Sequence, residues 1–160
     1  ALVGHVTEIV KGVGGRWADI CSGSGNFAFP IAEFADHVVS VEWDKLALSG
    51  QAESLKEFPY PEKLEIIRGN ISKPKPELIE RLKELDGAVV DPPRSGLGKL
   101  ANVMATEVKP KTLIYVSCFA ESMLKDIKVF LSEGYKWRST QGLDQFPQSP
   151  HSEWISHLTL

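Results

Sequence analysis

The chain has 160 residues, of which 42% are hydrophobic and 24% are charged, a composition typical of one globular domain and unlike that of disordered, collagen-like or coiled-coil chains. Its 18 basic and 21 acidic side chains give a net charge of −3, so nucleic-acid binding must be local or come from segments outside this sequence. No apolar run approaches a membrane span and the first residues lack a signal-peptide pattern, so we predict a soluble domain without membrane contact.

Helical and extended patterns alternate along the chain. Apolar residues at helical spacing open it at residues 2–10, and a glycine-rich segment ends that first helix. The following patterns predict strands at residues 17–21, 37–42, 64–68, 87–90 and 112–117, with helices beginning near residues 26, 45, 76, 100 and 121. Two final strands are predicted at residues 135–140 and 154–160, joined by a loop at 142–153.

This alternation predicts an α/β fold with a doubly wound, mostly parallel seven-stranded sheet. Because no helix joins the last two strands, the last strand is expected to be antiparallel. Such a topology is typical of the Rossmann-like class I methyltransferases. Repeats, low-complexity runs and a dividing linker are all missing from the sequence, so we expect residues 1–160 to form a single domain.

The first motif that carries chemistry is D-I-C-S-G-S-G-N-F at residues 19–27, where a strand turns through Gly23 and Gly25 into a helix. Glycines let the backbone approach a ligand, and a helix N-terminus offers amides to a carboxylate or phosphate. Taken alone, the motif also fits a dinucleotide-binding fold or a structural turn. Glu42 ends the second strand and offers acceptors for both ribose hydroxyls of a nucleoside cofactor, the alternative being a solvated glutamate.

Two further candidates follow the third and fourth strands. Asp91 opens D-P-P-R at the edge where open α/β sheets bind ligands, and the two prolines keep the chain from entering a helix at once. Asn70 follows the third strand on the same edge, as an adenine contact or an ordinary turn residue. We therefore predict a ligand site at this edge.

The two cysteines, Cys21 and Cys118, lack the clustered spacing of metal ligands, so no metal site is expected. In the usual strand order the fourth strand separates them by about 9–10 Å, beyond disulfide reach, and we expect reduced thiols in a cytoplasmic protein. A free cysteine such as Cys118 is most often a small buried hydrophobe. Its place where the fifth strand leaves the sheet also makes it a candidate site residue.

The loop F-P-Q-S-P-H-S-E at residues 146–153 carries His151 and Glu153 just before the last strand. Such groups in a surface loop are usually solvated. Loops that follow strands four, five and six can nevertheless converge on one edge, which makes both residues candidates for the same site.

Together these motifs resemble the RNA uracil-carbon-5 methyltransferases, which make 5-methyluridine in ribosomal and transfer RNA. The resemblance covers essentially the whole chain and rests on G-S-G-N-F, V-E at 41–42, G-N at 69–70, D-P-P-R, V-S-C and F-P-Q-S-x-H-x-E. It implies S-adenosyl-L-methionine as methyl donor, with Cys118 as nucleophile and Glu153 as base. The implied cofactor-binding residues are Gly23, Gly25, Asn26, Glu42, Asn70 and Asp91.

The resemblance also implies an RNA substrate, either rRNA or tRNA, and RNA-binding segments outside residues 1–160, which would then be the catalytic part of a longer protein. The chemistry accounts for the residue types. A thiolate adds to carbon 6 of uracil and makes carbon 5 nucleophilic, and a base later removes the carbon-5 proton so that the thiol can leave. One departure from the family is Phe119-Ala120, which stands where Asn-Pro usually follows the cysteine.

Three other interpretations remain open. A base-nitrogen methyltransferase usually has an aromatic residue after D-P-P, where this sequence has Arg94. An NAD-binding oxidoreductase fits the glycine motif and Glu42 but leaves D-P-P-R and Cys118 unexplained. A catalytically inactive, RNA-associated domain of the same fold is suggested by Phe119-Ala120.

Overall fold

The computed structural model describes residues 2–143 and 152–160. Its strands are β1 Arg16–Ile20, β2 His37–Glu42, β3 Leu64–Arg68, β4 Gly87–Val90, β5 Thr112–Ser117, β6 Lys136–Leu143 and β7 Glu153–Thr159. Its helices are α1 Leu2–Val13, α2 Ala28–Ala32, α3 Lys45–Glu57, α4 Pro76–Arg81, α5 Lys99–Val103 and α6 Ala120–Ser132, with short 3₁₀ and π turns at Pro61–Lys63 and Met104–Val108.

The strands form one sheet in the order β3-β2-β1-β4-β5-β7-β6. Strands β1 to β5 are parallel, and β7 runs antiparallel to both β5 and β6. This confirms the predicted doubly wound, mostly parallel sheet with an antiparallel last strand. Because β4 lies between β1 and β5, Cys21 and Cys118 are separated by a strand, and both are free thiols as predicted.

Two hydrophobic cores lie on opposite faces of the sheet. Along β5, Leu113 and Tyr115 pack into the core beneath α4, α5 and α6, whereas Ile114 and Val116 pack into the core beneath α1 and α2. Side chains alternate between faces along a strand, so a strand covered on both faces is apolar throughout. All six residues of β5 are accordingly buried. Helices of the described residues are too short or too polar to cross a membrane.

The glycine motif departs from the predicted boundaries. The first strand ends at Ile20 and the next helix begins at Ala28, where the sequence predicted Cys21 and Asn26. The reason is that Cys21, Gly23 and Gly25 all have positive φ, at 62°, 54° and 86°. Left-handed residues cannot continue a strand or start a helix, so the turn takes up seven residues.

Other differences are small. The fourth helix ends at Arg81 instead of residue 85, because Leu82 leaves helical geometry and Glu84 has a φ of 58°. The sixth strand continues to Leu143 because it pairs with β7 as far as Glu153. Most of the predicted 146–153 loop, including His151, lies outside the described residues.

Candidate functional site

A cavity of about 390 Å³ opens at the carboxyl ends of the first four strands, where open α/β sheets hold their ligands. Its walls are formed by Cys21, Val41, Glu42, Trp43, Gly69, Asn70, Ile71, Ser72, Asp91 and Pro93. Three predicted site residues, Glu42, Asn70 and Asp91, thus come together in one cavity of the size that suits a small ligand. Gly23, Gly25 and Asn26 are not among its walls.

The carboxylate of Glu42 holds the glycine turn in place. Its Oε2 accepts a hydrogen bond from the Gly23 amide at 2.7 Å, and its Oε1 accepts from the amides of Trp43 and Asp44 at 2.6 and 2.8 Å. A carboxylate has about four acceptor positions. One position, on Oε2, is therefore left for a ligand hydroxyl while the turn stays intact.

The glycines of the turn have different roles. A Cβ at Gly23 would meet no atom within 4 Å, so this residue leaves open space above a backbone with positive φ. A Cβ at Gly25 would lie 2.6 Å from the Phe29 ring. Gly25 is therefore required by packing against Phe29 and by its left-handed backbone.

A buried polar network supports the turn from below, and sequence reasoning missed it. The Gln51 side chain, fully buried on α3, donates from Nε2 to Ser22 Oγ at 2.9 Å and to the Gly23 carbonyl at 2.6 Å. The Ser40 hydroxyl of β2 lies 2.7 Å from both Ser22 Oγ and Gln51 Oε1. The sequence contains one signal for this network, which is Ser40, a polar residue in the middle of a mostly apolar strand.

Asn70 and Asp91 both line the cavity, where Asn70 offers a hydrogen-bond donor and Asp91 a carboxyl group. Asn70 Oδ1 accepts a hydrogen bond from the Ser72 amide at 2.9 Å, so its amide nitrogen remains a donor. Burial, followed by the negative charge of Glu153, raises the pKa of Asp91 to about 6. The pKa of Asp91 therefore depends on the carboxylate of Glu153 at the start of β7.

Cys118 and Glu153 lie next to the last paired residues of two neighbouring strands. Ser117, the last residue of β5, pairs with Trp154 of β7. Cys118 follows Ser117 and Glu153 precedes Trp154, so both residues lie just beyond the last paired position of β5 and β7. Both side chains are half-buried.

The turn after Cys118 is held by serine hydroxyls. Phe119, at the N-cap position of α6, makes no side-chain capping bond. Instead the Ser117 hydroxyl accepts from the Phe119 amide at 2.9 Å, and the Ser122 hydroxyl donates to the Phe119 carbonyl at 3.2 Å. Ser117 and Ser122 thus stabilise the turn at Phe119.

Cys21 lines the cavity, whereas neither Cys118 nor Glu153 is among its walls. Burial and the nearby charge of Glu42 raise the pKa of its thiol to about 12. Because the thiolate is the nucleophilic form, this raised pKa makes Cys21 a weak nucleophile at neutral pH.

Asp126 of α6 links the loop that follows β4 to strand β5, and sequence reasoning missed this link too. This buried residue of α6 accepts on Oδ2 from the Leu97 amide at 2.7 Å and from the Tyr115 hydroxyl at 2.5 Å. A Cβ at Gly96 would lie 2.6 Å from the same oxygen. The Asp91 loop is therefore fastened to the helix that begins after Cys118.

Asp19 is the most strongly perturbed acid at this edge. Its side chain is fully buried on β1, and neither carboxylate oxygen has a hydrogen-bond partner among the described residues. Burial, with smaller contributions from the charges of Asp91 and Glu42, raises its pKa to about 8.

We expect Asp19→Asn to change how stability depends on pH. A raised pKa means that the folded protein retains a proton that the unfolded chain has lost, from pH about 4 up to about 8. The free energy of unfolding of the wild type should therefore fall as pH rises, with Asp19 contributing up to about 1.4 kcal/mol per pH unit. Urea unfolding at several pH values should show that the free energy of unfolding of the variant increases relative to that of the wild type toward alkaline pH. Parallel curves of the two proteins against pH would contradict the raised pKa of Asp19.

Comparison with solved structures defines the class of fold. The methyltransferase domain of bacterial CtHen1-C superposes with a TM-score of 0.80 at 13% identity, over 99% of this chain and 96% of that one. The Pyrococcus abyssi tRNA (uracil-54, C5)-methyltransferase in complex with S-adenosyl-L-homocysteine superposes with a TM-score of 0.78 at 24% identity, over 99% and 38%. The fold is that of the class I methyltransferases.

Sequence comparison identifies the family. An RNA methyltransferase of Bdellovibrio bacteriovorus is 35% identical over 151 residues, which cover 89% of this chain and 38% of that protein. The 23S rRNA (uracil(1939)-C(5))-methyltransferase RlmD of Aromatoleum aromaticum is 31% identical over 144 residues, covering 89% and 33%. Residues 77–159, just over half of the chain, match the tRNA (uracil-5-)-methyltransferase family. The chain belongs to this family, as its motifs indicated, and spans 38% or less of these two relatives.

Proposed function

We propose that this domain transfers a methyl group from S-adenosyl-L-methionine to carbon 5 of a uridine in rRNA or tRNA, through a covalent adduct with Cys118. The observation that supports the proposal is the β5–β7 pairing, whose last pair, Ser117 and Trp154, is adjacent in sequence to Cys118 and Glu153. The charge of Glu153 also raises the pKa of Asp91, which lines the cavity. The names of RlmD and of the P. abyssi enzyme, both uracil-C5 methyltransferases, support the choice of base.

The charge of the cavity fits this cofactor. Glu42 and Asp91 line it, and no lysine or arginine is among its described walls. A sulfonium and an ammonium group are compensated by such carboxylates, whereas the pyrophosphate of NAD would be repelled. The remaining acceptor of Glu42 would bind a ribose hydroxyl, and the amide nitrogen of Asn70 would donate to the adenine. When bound, the cofactor supplies an electrophilic methyl group.

The residues of this chain would act in sequence on the RNA base. The Cys118 thiolate adds to carbon 6 of uracil and leaves electron density at carbon 5, which takes the methyl group. The Glu153 carboxylate then accepts the carbon-5 proton, the electrons of that C–H bond restore the C5–C6 double bond, and the Cys118 thiolate is expelled. Asp91 lines the cofactor cavity, and the charge of Glu153 raises its pKa. Asp91 would therefore be close to both the cofactor and this base.

The test uses RNA with tritium at carbon 5 of uridine and unlabelled S-adenosyl-L-methionine. Methylation at carbon 5 must expel that hydrogen, so we expect tritium in water in proportion to methyl groups transferred. Methyl transfer with retention of tritium would instead support a base-nitrogen methyltransferase. Cofactor binding without any methyl transfer would support an inactive, RNA-associated domain.

We also propose that residues 1–160 are one catalytic domain and that RNA-binding segments outside this chain contribute affinity. The support is that this chain matches only 29–38% of the length of its first three curated relatives.

Glu42→Ala should weaken cofactor binding by about 1–3 kcal/mol, because it removes the ribose acceptor and the acceptor of the Gly23 amide. Calorimetric titration with S-adenosyl-L-homocysteine measures the change. Ser22→Ala is the matched control, since it disturbs the same turn from the buried network without removing a ligand contact. Unchanged affinity in the Glu42 variant, or an equal loss in both variants, would contradict the ribose assignment.

A further inference from the structure

A second cleft lies beside the cofactor cavity, between the end of β3 and α4. Its volume is about 540 Å³, and its walls include Trp43, Arg68, Asn70, Lys73, Lys75 and Glu77. Trp43, Gly69 and Asn70 also line the cofactor cavity, so these residues form the wall between the two. None of the residues proposed for catalysis borders this second cleft.

The charge of the cleft is opposite to that of the whole chain. Arg68, Lys73 and Lys75 line it against one carboxylate, that of Glu77, although the chain carries a net charge of −3. Within residues 2–143 and 152–160 none of these three cations forms an ion pair, whereas Arg81 at the far end is paired with Glu65. A concave surface that is lined mainly by positive charges concentrates anions.

The local sequence holds the lysines in an extended segment. Lys73 and Lys75 each precede a proline in K-P-K-P, and a following proline disfavours helical backbone. Lys75 accordingly has φ −82° and ψ 152°, and α4 begins only at Pro76. The restricted backbone reduces the conformational entropy that the segment loses when it binds a ligand.

An aromatic platform stands at the other side of the cleft. The Arg68 guanidinium lies 4.3 Å from the centre of the Trp43 ring, and Arg68 Nε donates to the Trp43 carbonyl at 3.4 Å. The Trp43 side chain is 53% exposed. Aromatic and guanidinium planes stack against the bases of single-stranded nucleic acid, while lysines bind its phosphates.

We propose that this cleft binds a single-stranded part of the substrate RNA, with Lys73 and Lys75 on phosphates and a base against Arg68 and Trp43. The inference rests on the proposed function, because it takes the substrate to be RNA. Four strand spacings separate β3 from β5, so the cleft lies about 19 Å from Cys118 along the same edge of the sheet. A strand with its target uridine at Cys118 would reach the cleft through neighbouring nucleotides.

The test measures binding of a fluorescent oligouridine to the whole chain by anisotropy at several salt concentrations. Each phosphate contact contributes about 0.7 to the slope of log affinity against log salt for single strands. We expect Lys73→Gln/Lys75→Gln to lower that slope by about 1.4 and the affinity on the order of tenfold at low salt. Lys125→Gln/Lys128→Gln, with the same charge change on the exposed face of α6, should change neither by a comparable amount.

Three results would overturn the proposal that the cleft binds RNA. They are an absence of salt-dependent binding by the wild type, an equal loss of RNA affinity in both double variants, or a loss of S-adenosyl-L-homocysteine affinity in the cleft variant. Inorganic polyphosphate that competes as well as RNA would overturn the stacking contact. Failure of the proposed function is seen separately, as tritium retained at carbon 5 by a protein that still binds RNA through the cleft.

Discussion

Cys118→Ala is expected to abolish methyl transfer to RNA while leaving the fold and cofactor affinity close to those of the wild type. Without the sulfur, no adduct forms at carbon 6, and carbon 5 of uracil remains too weak a nucleophile to take the methyl group. The side chain is half-buried at the end of β5 and is a small one, so its loss should cost little stability. Turnover and melting temperature should be measured on the same preparation.

Cys21→Ala is the matched control, because it removes the other thiol from the same edge of the sheet. The pKa of Cys21 is raised to about 12, so this thiol stays protonated at neutral pH and its loss should leave turnover largely intact. Alkylation with iodoacetamide, followed by mass spectrometry, should modify Cys118 in preference to Cys21. Turnover that survives in Cys118→Ala, or disappears equally in both variants, would refute the nucleophile assignment.

Glu153→Gln should halt the reaction after methyl transfer and leave the protein covalently joined to methylated RNA. The amide cannot remove the carbon-5 proton, so the thiolate is not expelled. Glutamine has the same size and keeps the backbone pairing of Glu153 with Leu143. In a protein that binds RNA, the adduct should survive denaturing electrophoresis and should disappear in Cys118→Ala/Glu153→Gln.

An independent measurement separates the loss of the base from a distorted site. The negative charge of Glu153 contributes to the raised pKa of Asp91, so Glu153→Gln should lower that pKa from about 6. Carboxyl ¹³C NMR of Asp91 follows the change. Slow turnover with no adduct, despite the expected change at Asp91, would move the base assignment to Asp91 itself or to His151.

The sequence predicted the parts of the fold and site that depend on local pattern. The strands were recognisable because apolar runs such as residues 112–117 are buried on both faces, and parallel strands bring their carboxyl ends to one edge. Glu42, Asn70 and Asp91 stand at such ends and meet in one cavity. Their neighbourhood follows from topology alone.

The supporting contacts could not be predicted because they join residues far apart in the chain. Gln51 supports the glycine turn from 28 residues away, and Asp126 fastens Leu97 from 29 residues away. Both residues are polar positions on helices, where the usual expectation is exposure to water. The positive φ of Cys21 was equally hidden, since left-handed backbone is rare for residues other than glycine.

The position of β7 in the sheet couples assembly of the site to completion of folding. This strand follows β6 in the chain but lies between β5 and β6. Until it inserts, β5 presents an unpaired edge and β6 has no neighbour in the sheet, a state open to pairing with other chains. The same insertion pairs Trp154 with Ser117, so it also brings Glu153 and Cys118, the proposed base and nucleophile, to one end of the sheet. Insertion of β7 therefore completes the proposed site and protects the edge of β5 in one step.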